Sequence, residues 1–219
     1  MDPRIDFDLY LVTDRHQTGG RPLAAVVREA LAGGVRAVQL REKDLPVREL
    51  LRWAETLRSL THDFGARLFI NDQVDICLAV GADGVHLRAD SLPIPVVRKV
   101  LGPERLIGRS VHTALEAVEA QRAGADFIVL GPIYDTPSKR AMGKPLGLSG
   151  IRSSTAQVAM PIFAIGGIRS DRIQDVLRSG ARGVAVITAI LRAPDPREAA
   201  EDLLRELKKE RSSATIARA

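Results

Sequence analysis

Two hydrophobic rhythms alternate along the chain. Short, largely apolar, β-rich runs stand at positions 9–13, 37–40, 68–71, 84–87, 106–111, 127–131, 162–166 and 183–187. Between them apolar residues return every three or four positions, as in Val47, Leu50, Leu51, Ala54 and Leu57, in Ile173, Val176 and Leu177, and in Ala200, Leu203, Leu204 and Leu207. An unbroken apolar run fits a strand covered on both faces; the slower rhythm fits a helix with one face turned to a core. A helix-to-strand junction recurs at Gly33-Gly34-Val35, Gly81-Ala82-Asp83, Gly124-Ala125-Asp126 and Gly180-Ala181-Arg182. Glycine just past a helix takes the left-handed conformation that stops it. The pattern predicts eight β/α units in about 210 residues, hence an α/β fold: a single (β/α)₈ TIM barrel with parallel strands, spanning residues 1–209. A doubly wound open sheet is the competing architecture, disfavoured by eight strands in so short a chain. Residues 210–219 lack apolar periodicity and are expected to fray. The longest predicted loop, 132–147, follows the sixth strand.

Composition narrows the class without changing the picture. The 219 residues are 45% hydrophobic and 27% charged, ordinary for a globular domain. A chain this long buries roughly 70% of its unfolded surface, so it needs no disulfide or structural metal. Cys77 is the single cysteine, which fits a reducing compartment. With no leader-like segment, the expected location is cytoplasmic. No stretch of about 18 apolar residues occurs, so no membrane span is expected. The net charge of +5 favours anionic partners. The arginines are scattered along helices and aromatics make up only 4%, so small anions are expected as partners and nucleic acid is not. Only six lysines occur, and Lys43 and Lys139 closely follow predicted strands. A homo-oligomer is compatible with the sequence, which shows no interface.

In such a barrel the carboxyl ends of the strands carry the chemistry. After strand two, alternation turns Gln39, Arg41 and Lys43 to one side, and two neighbouring cations call for an anion. Strand three ends in Asn71-Asp72, where Asp72 is either a Mg²⁺ ligand or the N-cap of the next helix. His86 lies inside an apolar run and reads as core. Strand five ends in Gly108-Arg109-Ser110-Val111-His112, and His112 is either a general acid/base or structural. The loop after strand six offers Thr136, Ser138 and Lys139, two hydroxyls and an ammonium suited to phosphate. Gly166-Gly167 after strand seven and Ile187-Thr188 after strand eight occupy the usual phosphate position of these barrels. Two anion sites emerge, one cationic and one made of backbone amides.

Taken together, Leu9-Tyr10-Leu11-Val12-Thr13-Asp14, Gln39-Leu40-Arg41-Glu42-Lys43, Asn71-Asp72, Gly131-Pro132-Ile133-Tyr134 and Ile165-Gly166-Gly167-Ile168 resemble the thiamine phosphate synthase and thiazole tautomerase family over nearly the whole chain. The resemblance implies a transferase of thiamine biosynthesis. It would condense 4-amino-2-methyl-5-hydroxymethylpyrimidine pyrophosphate with thiazole phosphate to give thiamine phosphate and pyrophosphate. By similarity, Gln39, Arg41, Lys43 and Asn71 would hold the pyrimidine pyrophosphate, with Ser110 and Lys139 against the same substrate. Thr136, Ser138, Gly167, Ile187 and Thr188 would hold the thiazole phosphate, and Asp72 would bind Mg²⁺. Two residues depart from the synthase pattern. Ser91 stands where it usually carries a second metal-binding Asp, with Asp90 one residue early, and Arg109 replaces a small apolar residue. Gly-Arg-Ser-Val-His is similar to the tautomerase, whose catalytic histidine corresponds to His112. The alternatives are therefore a tautomerase acting on thiazole carboxylate phosphate through His112 and a non-catalytic thiazole phosphate binding protein.

Overall fold

The computed structural model describes the backbone of residues 4–136 and 143–216 and side chains as far as Lys209. Each apolar run forms a strand: β1 (Leu9–Val12), β2 (Ala37–Leu40), β3 (Arg67–Asn71), β4 (Gly84–Leu87), β5 (Leu106–Val111), β6 (Phe127–Leu130), β7 (Ile162–Ile165) and β8 (Gly183–Val186). All neighbours pair in parallel, and β8 closes on β1. The open-sheet alternative is thereby excluded. Helices α1 (Leu23–Ala32), α2 (Val47–Asp63), α3 (Val74–Ala79), α4 (Ile94–Leu101), α5 (Ala114–Ala123), α6 (Gly147–Thr155) and α7 (Ile173–Arg178) return the chain between strands. A short α8 (Thr188–Leu191) precedes the closing α9 (Pro196–Ile216). The backbone of α9 continues as helix as far as Ile216. Val47, expected on the inward face of α2, is 58% exposed, because it is the helix's first residue and lies outside the contact with the barrel.

Alternation divides the core in two. Residues facing out of the strands, such as Leu9, Leu11, Val38, Leu68, Val85 and Ile128, pack under the helices. The residues facing in include the large rings of Tyr10, Phe69, Phe127 and Phe163, closed from below by Phe7. Phe7 stacks on Phe163 at a centroid distance of 5.0 Å, and Phe69 meets Phe127 edge-on at 5.4 Å. A low aromatic content is thus concentrated where large rings fill the interior. Gly108 is small because of this plug: a Cβ there would stand 2.4 Å from Phe127 and 2.6 Å from His86 Nδ1.

The recurring Gly-Ala-Asp junction has a second function at the amino ends of the strands. Asp83 accepts the Leu68 N–H at 2.8 Å and pairs with Arg58 at 2.6 Å. Asp126 accepts the Ile107 N–H at 2.7 Å and pairs with Arg98 at 2.5 Å and Arg4 at 3.0 Å. Several of the scattered arginines are therefore fasteners on the face opposite the strand ends that carry chemistry.

Candidate active site

The loops after β1 and β2 are latched together by Glu42. Its alternation sends it away from Arg41 and Lys43 into a buried position. Thr13 Oγ1 donates to Glu42 at 2.7 Å and accepts the Arg41 N–H at 2.9 Å. The Arg15 N–H also reaches Glu42, at 3.1 Å, and the Arg15 guanidinium grips Asp44 through both terminal nitrogens at 2.6 Å. The carbon skeleton of the Gln39-Leu40-Arg41-Glu42-Lys43 run is held by this latch. Gln39 is buried at the top of the interior, its amide donating to the Tyr10 hydroxyl at 3.1 Å. Arg41 is half-buried, and no described carboxylate lies within ion-pair distance of it. Burial pushes its pKa down, Asp14 opposes that, Arg88 adds to it, and Glu42 and Asp72 oppose more weakly. Arginine stays charged regardless, so Arg41 is a desolvated cation in need of an anion. Lys43 follows it, exposed, in the same loop.

Asp72 is no helix cap. Helix α3 starts two residues later, with Gln73 preceding it and no side-chain cap. Instead Asp72 has φ of 61°, the only positive φ among described residues other than glycine, and its N–H donates to the His86 carbonyl at 3.0 Å. That left-handed backbone, unusual for a side-chain-bearing residue, turns the carboxylate toward the loop after β4. There the Ser91 hydroxyl donates to Asp72 Oδ1, the Arg88 N–H reaches the same oxygen at 3.2 Å, and Arg88 Nε pairs with Oδ2 at 2.5 Å. Asn71 Nδ2 donates to Oδ2 at 3.2 Å. Asp90 turns outward, with its side chain 73% exposed and 3.4 Å from Arg88 Nε. The structure therefore brings Ser91, not Asp90, to Asp72.

On β5, Ser110 faces inward and meets His86 Nε2 at 2.9 Å. His86 is core, as the sequence suggests, but it is core with a polar contact into the site. Burial pushes its pKa down to about 3, Arg41 and Arg109 act the same way, and Asp72 opposes them. Its Nδ1 is buried without a partner. Arg109 alternates outward and donates to the Ala89 carbonyl at 2.9 Å, bracing the loop that carries Arg88 and Ser91. His112 donates through Nδ1 to the Gly131 carbonyl at 2.6 Å, and its N–H is held by Glu116 at 2.7 Å.

The second group lies where β6, β7 and β8 end. The Ile133 N–H donates to the Ile165 carbonyl at 2.8 Å and the Tyr134 N–H to Gly166 at 3.0 Å, so the Gly131-Pro132-Ile133-Tyr134 run is laid along Ile165-Gly166-Gly167. Gly167 has φ of 66°, and a Cβ there would stand 2.8 Å from Tyr134 Cβ. Arg172 covers the Tyr134 ring at 4.3 Å and donates to the Gly167 carbonyl at 2.6 Å. Thr136 continues from this turn, and Ile187 leads into α8 at Thr188. Ser138 and Lys139 lie outside the described residues. Sequence reasoning missed Glu42, Arg88 and Arg172 as organisers of the two sites. Inward-outward parity could have marked Glu42 as facing away from its two cationic neighbours.

Fold and site define the class: a parallel (β/α)₈ barrel whose candidate site residues stand at the carboxyl ends of the strands. Residues 9–190 match the family described as thiamine monophosphate synthase, and the chain belongs to that family. A relative from Geobacter sulfurreducens is 57% identical over 201 residues, covering 92% of this chain and 94% of its own. The thiamine-phosphate synthase of Moorella thermoacetica is 48% identical over 197 residues, covering 90% and 94%. The solved thiamine phosphate pyrophosphorylase of Pyrococcus furiosus superposes with a TM-score of 0.86 at 40% identity, covering 94% of this chain and 98% of that one. Among the described residues no helix is long and apolar enough to cross a membrane.

Proposed function

We propose that the chain condenses 4-amino-2-methyl-5-hydroxymethylpyrimidine pyrophosphate with thiazole phosphate, forming thiamine phosphate and releasing pyrophosphate in the cytoplasm. The observation that carries this reading is the half-buried Arg41, without a carboxylate partner among the described residues and in electrostatic range of Asp72. With Lys43 and Asn71 it offers a pyrophosphate donors on one side of the barrel mouth. Thr136, Ser138, Gly167, Ile187 and Thr188 serve the thiazole phosphate on the other, next to a short helix that begins at Thr188. Gln39 and Ser110 line the space between them and orient the pyrimidine, and Lys139 serves the same substrate.

Asp72 would hold Mg²⁺ through its one carboxylate with the Ser91 hydroxyl oxygen beside it, and a metal that keeps its waters and takes substrate phosphates needs little more. When bound, it neutralises charge gathering on the departing pyrophosphate. Arg41 and Lys43 do the same from the protein side. His86 sets the polarity of Ser110. A buried imidazole nitrogen with no partner is less costly bare than protonated, so Nδ1 carries the lone pair and Nε2–H donates to Ser110. The Ser110 proton is then free to donate to a ring nitrogen of the pyrimidine. The barrel holds the thiazole nitrogen against the carbon that loses pyrophosphate, and proximity does the remainder.

The test is pyrophosphate release by the purified protein with both substrates, in Mg²⁺ and then in chelator. Release that needs both substrates and the metal is expected; its absence from folded protein that binds both substrates would overturn the reading. A thiazole tautomerase is the competing reading. It draws on His112, whose Nδ1 is committed to Gly131 and whose Nε2 is left for proton transfer. It requires that His112→Ala abolish isomerisation of thiazole carboxylate phosphate and that a chelator change nothing.

A further inference from the structure

Asp72 already has a cation. Arg88 reaches it from the loop after β4 with both backbone and side chain: N–H to Oδ1 at 3.2 Å and Nε to Oδ2 at 2.5 Å. The Ser91 hydroxyl completes the set on Oδ1 and itself accepts the Arg88 N–H at 2.7 Å. This loop carries one acid, Asp90, which is exposed and lies against the same guanidinium. Asp72 is thus paired with the Arg88 guanidinium, with Arg41 farther off and Asp90 outlying, so its carboxylate is already matched by a resident cation. Arg88 is not wedged there: its side chain is 44% exposed, so water can receive it.

We propose that Arg88 competes with the divalent cation for Asp72 and makes metal binding conditional on pyrophosphate. This rests on the reading of Asp72 as the metal ligand. A free Mg²⁺ would have to displace a paired guanidinium and leave it beside Arg41, with two cations and a metal around one carboxylate. A Mg²⁺ that arrives with pyrophosphate brings its own negative charge, and the displaced guanidinium gains phosphate oxygens in place of the carboxylate it loses. The same side chain thus opposes the bare metal and favours the metal–pyrophosphate pair. Such an effect is a coupling between two ligands and must act equally in both directions. The loop supplies an arginine on one side of Asp72 and a hydroxyl, Ser91, on the other, so the departure at position 91 and the presence of Arg88 belong to one arrangement.

The test titrates Mn²⁺, followed by electron paramagnetic resonance, into the full chain with and without inorganic pyrophosphate, in wild type and Arg88→Gln. In wild type, pyrophosphate is expected to tighten Mn²⁺ binding by about ten-fold or more. Arg88→Gln is expected to bind Mn²⁺ alone about ten-fold more tightly than wild type and to lose most of the pyrophosphate effect. Circular dichroism and melting checks folding, and Asp72→Ala must remove the Mn²⁺ signal. Equal Mn²⁺ affinities in wild type and Arg88→Gln, with Asp72-dependent binding intact, would overturn the role of Arg88 alone. Mn²⁺ binding that survives Asp72→Ala, or no binding even with pyrophosphate, would overturn it together with the metal assignment.

Discussion

His86 has no room to be charged. It is buried in the barrel, its Nδ1 faces Gly108, and desolvation pushes its pKa from 6.5 down to about 3. In the unfolded chain the ring titrates normally, so the unfolded state binds a proton that the folded state refuses. The stability contributed by a neutral His86 is whole above pH 6.5 and is lost as pH falls toward 3. Calorimetric melting between pH 7.5 and 5 checks this: the wild-type melting temperature should fall on acidification more steeply than that of His86→Gln, and parallel curves would remove His86 as the cause. The same ring determines what Ser110 can offer. With Ser110 donating to the substrate as proposed, Ser110→Ala should lower kcat/KM for the pyrimidine pyrophosphate by about ten- to a hundred-fold, and by orphaning the buried His86 Nε2–H it should also cost about 1–3 kcal/mol of stability. Unchanged kinetics would take Ser110 out of the site. His86 shows where residue-level reading stopped. Its burial was legible from the apolar run around it, but its contact with Ser110 joins positions 24 residues apart, and pairing across strands is not written in either run alone.

Between elements, loops are tied by residues that touch no substrate. Glu42 sits between Arg41 and Lys43 in the chain and faces the other way, where Thr13 and Arg15 use its oxygens. Glu42→Ala leaves the Thr13 hydroxyl and the Arg15 N–H without their partner. It should cost about 1–3 kcal/mol of stability and raise KM for the pyrimidine pyrophosphate more than it lowers kcat, because the cations lose their placement and not their charge. A kcat loss with KM unchanged would contradict a placing role. On the far side, Gly167→Ala puts a Cβ within 2.8 Å of Tyr134 at a φ of 66°, a conformation that carries strain for alanine. The β6 turn must shift, and KM for thiazole phosphate should rise at least about ten-fold while that for the pyrimidine substrate stays near wild type. Equal effects on both would mean that the two halves of the mouth are not independent. Strand positions were legible because a run buried on both faces has no other home, and boundaries differed by a residue where the last position belongs to a loop, as at Thr13 and Gly131. The pairing of Asp72 with Arg88 was not, since it depends on a left-handed turn at Asp72 that the residue type permits without requiring.

Across the whole molecule, charge is sorted by the two ends of the barrel. At the amino ends of the strands, Asp83, Asp126 and Asp8 each meet arginine, and Asp83 and Asp126 also accept a strand N–H. These contacts close the floor and satisfy backbone groups. At the carboxyl ends, Arg41 meets no described carboxylate and Asp72 meets an arginine that water can receive. One end spends its charges on closing the barrel floor; the other presents them to a ligand. The basic balance of the chain, legible from composition, said nothing of this division, because both ends draw on the same residue type. The division makes opposite predictions for two aspartates. Asp126→Ala leaves Arg98 and Arg4 without their shared carboxylate and the Ile107 N–H unpaired, so stability should fall by about 2–3 kcal/mol in denaturant melts. Turnover measured well below the transition should stay within about two-fold of wild type, since the floor touches no substrate. Asp72→Asn should do the reverse: asparagine tolerates the left-handed φ as aspartate does, and the lost charge faces an arginine that water can receive, so the melt should move little, while magnesium-dependent pyrophosphate release should fall by about a hundred-fold or more. If Asp126→Ala proved as inactive as Asp72→Asn at equal folded fraction, the two ends of the barrel would not be separable, and the carboxyl-end placement of the chemistry would have to be abandoned.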